Sequence, residues 1–184
     1  RPQIRRPHFT DVLLKKGYIQ NTEEAYKVVF ARGGIAFVEN RPAPAAEIID
    51  FIRSNGAAAV MAHPIHTKFK PDILYNVVRE LQQAGLSGIE VFHASQPRAN
   101  RQLYLDIIRD LGLITAGGSD FHGGTAHPEN KLGTGRRHNL NMPYMVLEQL
   151  HAAANAPAAN TAAPLSSASP VPPVSYYAEL EKYL

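Results

Sequence analysis

Three short segments of the sequence combine imidazole or carboxylate side chains with residues that fix the backbone around them. They are Ala62-His63-Pro64, residues 88–93 with Glu90, and residues 117–124 with Asp120 and His122. Imidazole and carboxylate groups are common ligands of divalent transition metals in proteins. The chain has no cysteine, which excludes thiolate ligands, zinc ribbons and disulfides. The residue types therefore favour metal binding through His63, Asp120 and His122.

Asp120 and His122 lie two positions apart, so an extended backbone would point both side chains to the same side. Placed in this way, they can bind one divalent ion or two adjacent ions. The flanking glycines permit tight turns that other residues resist. In the non-functional alternative, Asp120 caps a turn and His122 bonds a backbone carbonyl. His63 alone is typical of a partly buried structural histidine, but Pro64 pins its turn and holds the imidazole in place.

The elements that must position these side chains alternate between strand and helix. Short apolar runs predict buried strands at 57–62, 88–92 and 113–116, and helical spacing predicts helices between them at 71–84 and 97–111. Further helices are predicted at 5–16, from 21 or 22 to about 33, at 44–55 and from about 142. The alternation predicts a parallel α/β sheet or barrel, and three strands suggest a portion of a larger one. Such folds gather ligands at the carboxyl ends of their strands, where the three segments lie.

Length and composition predict one domain with a flexible tail. The chain has 184 residues, 45% of them apolar, which suits a single domain over residues 1–151. Residues 152–174 are rich in Ala, Pro, Ser and Asn and predict a low-complexity linker or tail. Residues 175–184 predict a short terminal helix, and the alternative is a tail that packs weakly.

Net charge, hydropathy and the absence of cysteine indicate which partners and which cellular compartment to expect for the protein. The net charge of +3 is compatible with an anionic substrate but too low for a nucleic-acid coat protein. The sequence contains no run of about eighteen apolar residues, so we expect no membrane partner. The lack of cysteine fits a reducing, cytoplasmic compartment.

The three segments together resemble the later motifs of a known phosphoesterase family. The Ala-His-Pro of residues 62–64, the Gly-Ile-Glu-Val of 88–91 and the Gly-Ser-Asp-Phe-His-Gly of 118–123 are similar to motifs of the PHP (polymerase and histidinol phosphatase) superfamily. The Arg-Pro-His-Phe of residues 6–9 narrows the resemblance to its free-standing branch. That branch includes 3′,5′-nucleotide bisphosphate phosphatases and a 5′-3′ exoribonuclease that matures ribosomal RNA ends. The resemblance covers roughly residues 5–135.

This resemblance implies a portion of a distorted (β/α)7 barrel with a cluster of up to three divalent metal ions. It implies that His63, Asp120 and His122 are metal ligands, and such mixed donors favour manganese, with iron or zinc as alternatives. It implies hydrolysis of phosphate esters by a metal-activated hydroxide that attacks phosphorus in line. The expected partner is a nucleotide phosphate or a short RNA, and no DNA partner is expected.

Residues outside the metal-ligand set are candidates for binding substrate. Arg6 and His8 match a segment that the family places near the substrate phosphate, which a guanidinium can bind with two hydrogen bonds. In the alternative, Arg6 is solvated and His8 caps its own turn. Gln96 and Arg98 are predicted to line the substrate cleft.

One glutamate and one histidine of the second segment are predicted to hold the metal ligands in position. Glu90 and His93 could each orient a metal ligand through a hydrogen bond, although Glu90 could instead pair with a nearby arginine. His66, Lys68 and His127 lie on loops beside the motifs and are expected to be solvated.

The sequence departs from the family in one large respect. The family begins with a His-x-His motif followed by further Asp, His and Glu ligands, and this chain does not contain that region. We therefore expect the chain to begin about halfway through the domain and to lack activity on its own. Two alternatives stay open: a truncated PHP domain that acts as a binding or structural module, and a phosphatase of the histidinol phosphate type.

Overall fold

The computed structural model describes residues 4–39, 42–122, 128–156 and 172–183. It divides into two compact units, Arg1–Pro42 and Ala43–Leu184. Most of the predicted linker, residues 157–171, lies outside the described residues. The predicted domain boundaries therefore stay predictions. No described helix is long and apolar enough to cross a lipid bilayer.

The amino-terminal unit is helical. Helix α1 spans Arg6–Lys15, and α2 spans Thr22–Glu24 before it continues into a π-helical turn at Ala25–Val29. The side chain of Asn21 accepts a hydrogen bond from the backbone N–H of Glu24 at 2.9 Å and so caps α2, as the sequence predicts. The small core of this unit contains three buried residues, Ile19, Ala25 and Phe30.

The larger unit contains a parallel sheet with helical connections. Its first elements are α3 (Ala45–Ser54), β1 (Val60–Met61), α4 (Pro71–Gln83), β2 (Gly88–His93), α5 (Arg98–Asp110) and β3 (Ile114–Gly118). The strands lie in the order β1-β2-β3, and both pairs are parallel. This confirms the predicted alternation of parallel strands and helices. The seven-stranded count of the full barrel stays a prediction.

The central strand β2 carries the core of this unit. Ile89, Val91 and Phe92 are completely buried, and so are Leu105 and Ile108 on α5. Neighbouring positions of a strand point to opposite faces, so burial of both faces means that both are covered by other elements. This accounts for the continuous apolar run in the sequence.

The remaining elements follow β3 in the chain. They are a short antiparallel hairpin, β4 (Asn130–Lys131) with β5 (Gly135–Arg136), helix α6 (Met145–Asn155), and the terminal helix α7 (Val174–Glu181). The hairpin was not predicted from the sequence. Helix α6 packs against β3.

The terminal helix is fixed at β3 by two tyrosines, so the alternative of a weakly packing tail is wrong. The hydroxyl of Tyr176 accepts a hydrogen bond from the backbone N–H of Thr115 at 3.0 Å. The hydroxyl of Tyr177 donates to the backbone carbonyl of Leu113 at 3.0 Å. Both tyrosines and Leu180 are buried. The tyrosine hydroxyls satisfy backbone groups of β3 that would otherwise be buried without a partner.

Candidate metal centre at the carboxyl ends of the strands

Six polar side chains meet where the three parallel strands end. We call this set the carboxyl-end cluster; it consists of His63, His66, Glu90, His93, Asp120 and His122. Each strand contributes to it, as expected for the ligand-gathering edge of a parallel sheet.

His63 lies two residues beyond the end of β1, in a backbone conformation that non-glycine residues rarely adopt. Its φ is 30° and its ψ is 62°, in the left-handed region. Such a residue costs about 1–2 kcal/mol and persists only where its surroundings hold it. The holding contact comes from Glu90, whose Oε2 accepts a hydrogen bond from the backbone N–H of His63 at 2.6 Å. Pro64 then begins a 3-10 turn at Pro64–Thr67.

Three imidazole rings lie against one another at this edge. The ring centroids of His63 and His66 are 5.1 Å apart, and those of His93 lie 5.7 Å from His63 and 5.9 Å from His66. The expectation that His66 is only a solvated loop residue is therefore incomplete. Side chains at i and i+3 eclipse in a 3-10 turn. The His-Pro-x-His spacing of residues 63–66 is thus a sequence signal for this pair.

His93 is the buried member of the carboxyl-end cluster, with 1% of its surface exposed. Its Nδ1 accepts the backbone N–H of Ser95 at 3.1 Å, which places the proton of the neutral ring on Nε2. Burial lowers the pKa of His93, although the Asp120 carboxylate opposes this, so the neutral ring is favoured. Nε2 has no hydrogen-bond partner among the described residues and lies 3.9 Å from Oδ2 of Asp120. This separation is longer than a hydrogen bond, so the role of His93 in orienting Asp120 stays a prediction.

Asp120 and His122 come together through a turn, so the expectation of an extended backbone is wrong. Strand β3 ends at Gly118, and Asp120 has a φ of 52°, a left-handed conformation that aspartate tolerates better than most residues. The turn still brings His122 Nδ1 to 3.4 Å from Asp120 Oδ1 and 2.9 Å from the backbone oxygen of Asp120. Asn130 donates to the same backbone oxygen at 3.3 Å. Residues 123–127, with the remaining glycines and His127, lie outside the described residues.

Glu90 is confined between the strand ends. Burial raises the pKa of the Glu90 carboxyl, and the hydrogen bond from His63 lowers it. A methyl group on Gly118 would lie 3.3 Å from Oε1 of Glu90, so the glycine leaves this carboxylate its space. A methyl group on Gly117 would lie 2.6 Å from the backbone oxygen of Phe92. Gly117 is therefore required for the close approach of the strands, and Gly118 gives Glu90 room, which are reasons other than the tight turns predicted.

The donor types of the cluster suit a divalent ion, but the geometry is incomplete. Imidazole nitrogens and a carboxylate fit manganese, iron or zinc better than magnesium. Within residues 4–39, 42–122, 128–156 and 172–183, no three His, Asp or Glu side chains surround a common point. The cluster thus supplies ligands of the expected chemistry without a closed coordination shell.

Gln96 and Arg98, predicted to line a cleft, lie together on a polar cavity of about 200 Å³ just beyond the end of β2. The backbone N–H of Gln96 donates to the carbonyl oxygen of His93 at 2.9 Å, which ties the cavity to the carboxyl-end cluster. Arg101, one turn into α5, also lines this cavity. The sequence does not predict this, because an arginine in a helix is normally expected on the exposed polar face of that helix.

Arg6 and His8 belong to the amino-terminal unit. Arg6 is the exposed first residue of α1, and Nδ1 of His8 accepts the backbone N–H of Arg5 at 2.9 Å. This is the capping contact that we had considered as the alternative for His8. Phosphate binding by Arg6 and His8 stays a prediction.

Comparison with known proteins gives relatives of one chemical type. No protein-family profile matches the chain. A 5′-3′ exoribonuclease of Haemophilus influenzae is 26% identical over 120 residues, which cover 65% of this chain and 44% of that protein. A 3′,5′-nucleoside bisphosphate phosphatase of Chromobacterium violaceum is 26% identical over 119 residues, covering 65% and 42%. A solved structure from Bifidobacterium adolescentis, provisionally assigned as a metal-dependent phosphoesterase, has a TM-score of 0.61 and 24% identity, covering 80% of this chain and 49% of that one.

The chain spans less than half the length of the curated relatives it matches. The structural likeness supports the fold, which resembles the barrels of the PHP and amidohydrolase type. The relatives' names agree with the resemblance found in the sequence motifs, which is thereby confirmed. The chain is similar to part of several proteins named as 5′-3′ exoribonucleases or as a 3′,5′-nucleoside bisphosphate phosphatase.

Proposed function

We propose that this chain is part of a metal-dependent phosphoesterase that hydrolyses phosphate esters of nucleotides or short RNA. The observation that carries the proposal is the meeting of His63, His93 and Asp120 at the carboxyl ends of three neighbouring strands. The relatives act on RNA or nucleotide bisphosphates according to their names, which supports the substrate class.

His63, Asp120 and His122 are the proposed metal ligands of this chain, and His66 is a further candidate because its ring contacts that of His63. Manganese is the preferred ion, with iron or zinc as alternatives. When bound, a divalent ion supplies Lewis acidity toward a phosphoryl oxygen and lowers the pKa of a coordinated water. The remaining ligands would come from residues outside the described part of the chain.

The two supporting residues act on the ligands. Glu90 fixes the backbone of His63 through the 2.6 Å hydrogen bond and so sets the direction of its imidazole. Nε2 of His93 lies 3.9 Å from Oδ2 of Asp120, so a small shift of the carboxylate would allow a hydrogen bond that orients Asp120. Both lie at the edge of a packed strand, which gives them a rigid base.

The test is a substrate panel with the Asp120→Asn variant of the full-length protein. The intact protein should hydrolyse adenosine 3′,5′-bisphosphate or short RNA, and Asp120→Asn should reduce the rate by at least about a hundredfold, because it removes a charged ligand. Asp50→Asn, which removes an exposed carboxylate on α3, is the matched control and should retain activity. Full activity of Asp120→Asn would refute the assignment.

A non-enzymatic binding module is the second candidate, and the incomplete ligand set of the described residues favours it. It predicts no turnover of any phosphate ester by the full-length protein, with or without added metal. Activity on histidinol phosphate alone would instead support the third candidate, a phosphatase of that type, and would refute the nucleotide assignment.

A further inference from the structure

The cavity beside the carboxyl-end cluster has a lining that is polar and cationic. It comprises Gln96, Arg98, Arg101, His138, Asn139, Asn141 and Tyr183. The lining includes two guanidinium groups, and no carboxylate of the described residues contributes to it. No described Asp or Glu forms an ion pair with Arg98 or Arg101. The cavity is thus positively charged without an internal counter-charge.

Two side chains of this lining are buried with polar atoms unpaired. Gln96 is 4% exposed, and neither its Nε2 nor its Oε1 has a hydrogen-bond partner among the described residues. Arg101 is 3% exposed; one Nη donates to the backbone oxygen of Asn139 at 3.1 Å, whereas its Nε is unpaired in this part of the chain. Leaving a buried polar group unpaired costs about 1–3 kcal/mol. Such groups need a ligand or an ordered water as a partner, and both unpaired groups here line the same cationic cavity.

The position of the cavity adds a third source of positive potential. Arg98 is the first residue of α5, a helix of 13 residues whose N-cap residue, Pro97, provides no side-chain cap. The first turn of α5 contains no acidic residue. The uncapped N–H groups and the helix dipole favour an anion at this end. Burial and the neighbouring Arg98 cation lower the pKa of Arg101, as expected for a guanidinium that lacks a counter-ion.

The walls of the cavity are anchored to the strand end. The side chain of Asn139 donates to the carbonyl oxygen of Ala94 at 2.7 Å and accepts from the backbone N–H of Arg136 at 2.9 Å. The guanidinium of Arg101 stacks 5.6 Å from the ring centre of Phe92. These contacts hold the polar groups in place without consuming the unpaired atoms of Gln96 and Arg101.

We propose that this cavity binds a phosphate-type oxyanion other than the one being hydrolysed, through Arg98, Arg101 and the amide of Gln96. The oxyanion is either a second phosphate of the substrate or free inorganic phosphate. The first of these rests on the proposed function, since it makes the cavity a subsite that selects esters with two phosphate groups.

The test is a titration of the isotope-labelled full chain with inorganic phosphate in the presence of a metal chelator, followed by NMR. The Nε–H signal of Arg101 and the side-chain amide signals of Gln96 should shift saturably with phosphate, and chloride at equal ionic strength should not shift them. Arg98→Ala should weaken phosphate binding about tenfold, the effect of losing one charge-assisted contact. Arg79→Ala, which removes the same charge from α4, should leave the affinity unchanged.

A second variant separates binding from folding. Gln96→Leu has nearly the same volume and removes both unpaired buried atoms, so it should resist denaturant at least as well as the wild type while losing phosphate binding. A parallel titration with nucleotides then shows whether the bound oxyanion is part of the substrate or free phosphate. Tighter binding of adenosine 3′,5′-bisphosphate than of adenosine 5′-monophosphate, lost in Arg98→Ala, assigns the site to the substrate; equal binding of both assigns it to free phosphate.

Three results would overturn the proposal: no saturable shift, equal effects of Arg98→Ala and Arg79→Ala, or phosphate binding that Gln96→Leu leaves intact. The experiment distinguishes failure of the cavity proposal from failure of the proposed function. Asp120→Asn should abolish hydrolysis while the cavity signals still respond to phosphate. If phosphate binding disappears in Asp120→Asn but persists in Arg98→Ala, the cavity proposal is wrong and the metal centre stands.

Discussion

At the scale of single residues, the orientation of His63 depends on one carboxylate. Its left-handed backbone is held by the hydrogen bond to Glu90 Oε2, and a proline follows it. Strain of this kind is concentrated at sites where the surroundings determine the geometry. The hydrogen bond, rather than the negative charge of Glu90, should therefore be what the metal centre needs.

Glu90 substitutions test this point. Glu90→Ala should weaken metal binding about 10–100-fold, the usual effect of losing a supporting hydrogen bond. Glu90→Gln keeps an acceptor oxygen and should restore most of the affinity. Isothermal titration of manganese into the full-length variants is the measurement. If Glu90→Gln is as impaired as Glu90→Ala, charge is the essential property and the positioning role is wrong.

Some of the residues in the carboxyl-end cluster could be predicted from the sequence, and others could not. His63, Asp120 and His122 can be proposed from the sequence because strand ends and glycines are visible in the pattern, and their role as metal ligands stays a prediction. His66 was undervalued, since its contact depends on a 3-10 turn that only Pro64 hints at. The backbone turn at Asp120 could not be predicted, because a φ of 52° has no signature in a Gly-Ser-Asp segment.

At the scale of elements, the approach of β3 to β2 depends on Gly117. A methyl group there would lie 2.6 Å from both the backbone oxygen of Phe92 and the sulfur of Met142. A backbone oxygen in a packed strand cannot move away cheaply.

Gly117→Ala should lower the free energy of unfolding by about 1–3 kcal/mol, as overpacking does. Gly118→Ala is the matched control, since its methyl group would meet only Glu90 Oε1 at 3.3 Å, and it should cost less. Urea unfolding of the two variants gives the comparison. Equal stability of Gly117→Ala and the wild type would show that the strands have room to separate.

The two buried tyrosines of the terminal helix should make the free energy of unfolding fall at alkaline pH. Burial raises the pKa of Tyr176 and of Tyr177 to about 12, whereas an unfolded tyrosine titrates near about 10. The folded state therefore keeps both protons where the unfolded chain has lost them. The stabilisation is complete below about pH 10 and is lost as the pH rises toward 12.

Double replacement, Tyr176→Phe with Tyr177→Phe, should lower stability at neutral pH and flatten its decline between pH 10 and about 12. Urea midpoints across this range are the measurement. Tyr144→Phe, at an exposed tyrosine, serves as the control and should follow the wild type. A wild-type decline as shallow as that of the double variant would contradict the role of the two hydroxyls.

The elements themselves were largely predictable, and their packing was not. Helical spacing and apolar runs located α3, α4, α5 and the three strands to within a few residues, because periodicity reports which face is buried. The docking of α7 rests on two tyrosine hydroxyls that bond backbone groups of β3 far away in sequence. Nothing in the terminal segment alone distinguishes such a helix from a loose tail.

At the scale of the whole molecule, the carboxyl-end cluster and a cationic polar cavity of about 200 Å³ lie on neighbouring parts of one strand end. His93 ends β2, and the backbone of Gln96 bonds to it three residues later. A hydrolytic centre for one phosphate and a cationic cavity for another would together suit a substrate with two phosphate groups. The chain spans less than half of its relatives, so the full protein is where this account must be tested.

Metal binding by the full-length protein tests the central claim most directly. Manganese titration followed by electron paramagnetic resonance should detect tightly bound ions in the wild type and in Asp50→Asn. In a variant that combines His63→Ala with Asp120→Asn, the bound manganese should fall by at least one ion per chain, and hydrolysis of phosphate esters should fall with it. An unchanged manganese content in that variant would contradict the assignment of the carboxyl-end cluster as a metal centre.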